Sequence, residues 1–170
     1  MQQATMPTLH PTTNAPAHER DTRKRAATER AEARVAKLSP VELSELALTL
    51  LRRAKGSARI AHMATQLSAD SRPSAARIAK CVEVALFNTE EVLYISWNAT
   101  PGIELTAINA DLDQADGILA AIDAKLWDDG WEEVSNLDAI SGALDAAAHV
   151  LEVCVSHLEA QRETERIVSH

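Results

Sequence analysis

Turn-forming residues and rings are scarce in this chain: five glycines, six prolines and 3% aromatic side chains in 170 residues. A sandwich or barrel needs a turn signal about every ten residues, so this scarcity counts against a strand-built fold. The two cysteines, Cys81 and Cys154, have no C-x-x-C spacing, which excludes a disulfide scaffold or a cysteine zinc site. Both sit on apolar helical faces and read as reduced core thiols. No window approaches the roughly 20 apolar residues of a membrane span. The opening, Met1 to Ala17, is rich in Thr, Pro, Gln and Asn and lacks the apolar run of a signal peptide. Residues 1–18 are therefore expected to be disordered, and the chain cytoplasmic, with no membrane partner.

Chemical motifs are missing as well. A phosphate loop needs glycines followed by Lys and Ser/Thr, and the nearest string, Lys55-Gly56-Ser57, has the order wrong. There is no G-x-S-x-G, H-E-x-x-H or G-x-G-x-x-G. The positions three before His62, His149 and His157 are Arg59, Ala146 and Cys154, so no di-iron Glu-x-x-His pair exists. Asp111, Asp113 and Asp116 begin like a calcium loop, but Ala115 and Ile122 stand where ligands are required. The acid pairs at 90–91, 128–129 and 132–133 read as solvated carboxylates rather than a buried acid and base. No catalytic residue, metal or cofactor is assigned, and the chain reads as non-enzymatic.

What is abundant is alanine, 31 residues, the best helix former. Charge is divided unevenly: residues 1–80 carry +7 and residues 81–170 carry −15. Opposite signs in the two halves suggest a basic part that meets an anion, or halves that attract each other.

Residues 19–38 are dense in Arg, Lys, Glu and Ala and read as a charged helix or linker able to bury little. Ser39-Pro40-Val41-Glu42 is a capping-box start with proline in the first turn. Apolar residues at three- and four-residue spacing follow to Gly56, a natural C-terminal stop. Ile60, Met63, Ala64 and Leu67 predict the inner face of a second short helix, and Ala75, Ile78, Val82, Ala85 and Leu86 that of a third. Residues 39–88 thus form a basic tri-helical module. If Ser71 caps the third helix, the connection shortens to a helix-turn-helix, with Arg72, Arg77 and Lys80 as candidate DNA-binding residues. If Ser74 caps it, the connection is too long. Residues 91–97, with Val92, Tyr94, Ile95 and Trp97, have the composition of one short strand, and a hairpin there would make a winged helix.

Two longer runs follow at strict 3, 4 spacing: Leu105, Ile108, Leu112, Ala115, Leu119, Ile122, Leu126, and Leu137, Ile140, Leu144, Ala147, Leu151, Cys154, Leu158. A short connection between them makes residues 101–168 an acidic, coiled-coil-like antiparallel αα-hairpin starting near Thr100-Pro101. A second stripe, Ala139, Ala143, Ala146, Val150, Val153, His157 and Ala160, needs either the N-terminal helices or another copy to cover it. Val150 and Val153, with Trp127 and Trp131 at the hairpin tip, are candidate partner-binding residues. The expected fold class is mainly α, a small tri-helical module followed by the hairpin. The expected role is self-association or protein-partner binding through that hairpin. The alternative is a helix-turn-helix or winged-helix DNA-binding regulator that dimerises through it.

Overall fold

A computed structural model describes residues 15–98, 104–128 and 134–168, with side chains described for 21–98, 105–126 and 137–168. These residues are mainly helical and contain no strand. The helices are α1 (Ala15–Val35), α2 (Pro40–Thr65), α3 (Ala75–Asn98), α4 (Asn109–Asp128) and α5 (Val134–Val168), with a 3-10 turn, Glu104–Ile108, leading into α4. α2 packs on α3 and α5, and α4 packs on the same two, so four helices close a ring around one core, with α1 laid against α3.

α2 starts as its sequence requires. The Ser39 Oγ accepts from the Glu42 amide and the Glu42 carboxylate accepts from the Ser39 amide, at 3.4 and 2.8 Å. Pro40 occupies the first turn, where no N–H is needed. These bonds to Ser39 hold the Glu42 carboxyl below its ordinary range. The helix does not stop at Gly56 but runs on to Thr65. Gly56 is followed by good helix formers, and Ala54, Ala58 and Ala61, all fully buried, hold both sides of it in the core. The expected three short helices of 39–88 are therefore two long ones, of 26 and 24 residues.

The inner face of α2 also differs from expectation. Alanines take the inside, Ile60 and Met63 point outward, and Leu67, just past the end of the helix, is exposed as well. Small side chains let helix backbones approach closely, and packing of α3 and α5 against this seam outweighs the burial of three larger residues.

Residues 91–97 are the last turns of α3, not a strand. Burial at Val92, Leu93, Ile95 and Ser96, with Tyr94 half-buried and Trp97 exposed, does not alternate as a strand's would. Asn88, Thr89 and Ser96 fold their side chains back onto the carbonyls of Val84, Ala85 and Leu93, so they are buried without loss of hydrogen bonds.

Every member of the two regular stripes from Leu105 to Leu126 and Leu137 to Leu158 is buried. The first run begins on the 3-10 turn at Leu105 and Ile108, and the expected start at Thr100-Pro101 lies outside the described residues. α5 begins at Val134. It also meets α2, but along a different flank from the predicted second stripe: Ser141, Asp145, Ala148, Glu152, Val155, Glu159 and Arg162. Ala148 and Val155 are buried there. Around them, Arg52 pairs with Glu159 at 2.6 Å, Lys55 and Arg59 with Glu152, and Arg162 with Glu45 at 2.7 Å, while His62 Nδ1 donates to the Ser141 carbonyl at 2.9 Å. Rising numbers on α2 meet falling numbers on α5, so these two helices are antiparallel. Exposed pairs of this kind add little energy each but specify register.

α5 is long and apolar enough to cross a membrane by length and composition, with a mean hydropathy of 1.3 over 18 residues, contrary to the expectation that no window comes close. A bundle's core helix meets the same test, and here the apolar stripe of α5 is covered by α2 and α4. The expected disordered segment 1–18 lies outside the described residues up to position 14, and α1 begins within it at Ala15. α1 itself buries more than its charge suggested: Ala27 and Ala31 lie against the bundle and are at most 1% exposed.

Candidate interaction surface

The residues singled out from sequence are dispersed. α3 begins after Ser74, whose carbonyl accepts from the Arg77 and Ile78 amides, so the connection from α2 spans residues 66–74. That exceeds the three- or four-residue turn of a helix-turn-helix. Within it, Arg72 donates through Nε and Nη2 to the Leu67 carbonyl at 3.2 and 2.9 Å and ties the loop down. Arg77 is exposed, and Lys80 reaches Glu83 at 2.7 Å. On α5, Val150 is half-buried against the core and Val153 is 45% exposed. The side chain of Trp127, and all of Trp131, lie outside the described residues.

A group of exposed apolar side chains lies on the last turns of α2 and just past its end. Ile60, Met63 and Leu67 are 60%, 66% and 43% exposed. Gly56, Ile60 and Met63 repeat at 4, 3 along one outward face of the helix about 10 Å long, and Leu67 stands just past its end. At Gly56 nothing lies within 4 Å of where a Cβ would stand, so this end of the face is open to a close-approaching backbone.

One turn earlier on the same face, Arg53 enters a cleft of about 380 Å³ where α1, α2 and α3 meet. Arg30, Arg34 and Lys80 share it with Glu83, Asn88 and Glu91, beside the apolar Leu50, Val84 and Phe87. Two of the four cations are already paired, Arg34 with Glu91 and Lys80 with Glu83. Glu91 is 1% exposed, and burial pushes its carboxyl up while Arg34 and Arg30 pull it back. Arg30 lies over the Phe87 ring with its guanidinium carbon 5.2 Å from the centroid, and Arg53 has no ion pair among the described residues. Of the predicted basic residues only Lys80 lines this cleft. The others come from a helix expected to bury little and from one expected to end at Gly56, so no local pattern joins them.

A second, acidic pocket of about 120 Å³ lies between α1, α3 and α4, with Glu90, Asp113, Asp116, Lys24, Tyr94 and Trp97 on its walls. Burial raises the Glu90 carboxyl to about 7, reinforced by Asp116, and raises Asp116 as well. Glu90 Oε2 and Asp116 Oδ1 are buried without a hydrogen-bond partner. Beside it, Arg23 grips Asp123 with two bonds of 2.8 and 3.3 Å, both residues nearly buried. No group of three His, Cys, Asp or Glu able to hold a metal occurs among the described residues.

Comparison of the chain with family models, with curated proteins and with solved structures finds no match in any of the three. The functional reading rests on these surfaces alone.

Proposed function

We propose that this chain is a non-enzymatic helical interaction protein that binds a partner protein on the outward face of α2, with the α4–α5 pair serving as an antiparallel hairpin that backs the bundle. The observation that carries this reading is the exposure of Ile60 and Met63 in one row on α2, with Leu67 just past its end. Single exposed apolar residues are ordinary on a protein surface, but a contiguous row at helical spacing is the form in which a helix is recognised by another helix or by a groove. None of the three supports the core, so evolution toward stability alone gives no reason for their size.

The test compares wild type with an Ile60→Glu, Met63→Glu variant in capture from cell extract, followed by reconstitution with the purified captured protein. A protein that binds wild type stoichiometrically and loses the variant, at unchanged helical circular dichroism, supports the reading. A partner held equally by both refutes it.

A second reading is favoured by Val153, 45% exposed on α5: self-association through the predicted second stripe of that helix. Sedimentation of wild type and Val153→Glu decides it, and a monomeric wild type rules it out.

A further inference from the structure

We infer that the partner segment received by α2 is an amphipathic helix with carboxylates along one flank, seated with its apolar residues on Gly56, Ile60, Met63 and Leu67 and its acids in the Arg30–Arg53 cleft. This deepens the proposed function and rests on it.

The row on α2 has cations on both sides, but they are not equivalent. On the α5 side Arg52 and Arg59 are engaged by Glu159 and Glu152. On the α3 side, Arg34 and Lys80 are engaged by Glu91 and Glu83 and Arg30 also lies in the field of Glu91, so four cations face two carboxylates in one cleft and Arg53 is left without an ion pair among the described residues. Arg53 stands three residues before Gly56 and seven before Ile60, so it shares their face of the helix. Stacking on Phe87 holds the Arg30 guanidinium in place, while its N–H edges remain able to fork onto a carboxylate.

A ligand complementary to this surface carries apolar side chains at three- and four-residue spacing and acids to one side only. A second copy of this chain fits less well, because its own stretch 46–67 offers Arg52, Arg53, Lys55 and Arg59 beside the row and no carboxylate. A nucleic acid fits less well again, since it offers nothing apolar to cover Ile60 and Met63.

The experiment uses two labelled helical peptides of about 18 residues with the same leucines, one with glutamates on the flank and one with lysines there. Anisotropy is read against full-length wild type, Arg53→Glu and the Ile60→Glu, Met63→Glu variant at low and moderate salt. The glutamate peptide is expected to bind wild type at least about tenfold more tightly than the lysine peptide, to weaken with salt, and to lose at least about tenfold with Arg53→Glu. Equal binding of the two peptides, or no binding of either, overturns the inference. Equal binding that Ile60→Glu, Met63→Glu abolishes overturns it while leaving the α2 docking face intact. Glutamate-peptide binding that survives Ile60→Glu, Met63→Glu but not Arg53→Glu removes the docking face itself. Displacement of the peptide by a short DNA duplex that binds more tightly, with the same Arg53 dependence, overturns it in favour of nucleic acid.

Discussion

Glu90 makes the stability of this bundle fall as the pH rises through the neutral range. Its carboxyl, near 4.5 in the unfolded chain, is raised to about 7 in the folded one, first by burial and then by Asp116 and Asp123 on α4, against the pull of Arg23 and Lys24 on α1. Below about 4.5 the group is protonated in both states and has no effect on the balance. Between about 4.5 and 7 the native state keeps a proton that the unfolded state has released, so each step upward in pH favours unfolding. Above about 7 both states are ionised and the full cost is present. A shift of this size corresponds to about 3 kcal/mol, which water reaching the partly exposed side chain reduces to about 1–2 kcal/mol. Glu90→Gln keeps the shape and removes the charge. Urea unfolding at pH 5 and pH 8 should show the variant gaining about 1–2 kcal/mol over wild type at pH 8 and much less at pH 5. An equal difference at the two pH values would refute the reasoning, because it would mean that Glu90 ionises as freely in the fold as outside it.

Other consequences follow from single contacts. Arg23→Ala strands the carboxylate of Asp123, which is 2% exposed, and should cost about 3 kcal/mol in chemical denaturation, whereas a loss under about 1 kcal/mol would show that α1 does not hold this pair. Cys154 is fully buried, and burial pushes its thiol up to about 12. Alkylation at pH 8 should therefore spare it in the native protein and reach it on unfolding, with peptide mapping as the readout. Gly56→Ala fills open space in the middle of a helix and should stabilise by about 0.5–1 kcal/mol, seen as a higher denaturation midpoint.

The sequence was most legible where one face alone could be the inner one. In the runs from Leu105 to Leu126 and from Leu137 to Leu158 the large aliphatics have no rival stripe of equal size, and all of them are buried. The capping box at Ser39 was legible for a similar reason, since its bonds are local. α2 had two stripes, one of alanines and one of Ile60, Met63 and Leu67, and size favoured the wrong one. Which stripe faces inward depends on how near α3 and α5 come, and that distance is a property of the assembled bundle. Residues 91–97 carry the β-branched and aromatic content of a strand, yet they continue the helical period of Ile78 and Val82. The cleft was illegible for a geometric reason: Arg30, Arg53 and Lys80 come from three helices, and nothing in their spacing along the chain brings them together.

The alanine seam of α2 has a thermal consequence. Alanine has no side-chain rotamers to lose on burial, so the closeness of the helices is reached with little ordering of side chains. It also removes little apolar surface from water for each residue buried, and exposed apolar surface is what gives unfolding its heat capacity. With Ala47, Ala54, Ala58, Ala61, Ala85, Ala115 and Ala147 all fully buried, calorimetry should find a heat-capacity increment at or below about 12 cal/mol/K per residue. The free energy of such a bundle changes slowly with temperature, so its margin of stability is spread over a broad range instead of peaking sharply within a narrow one.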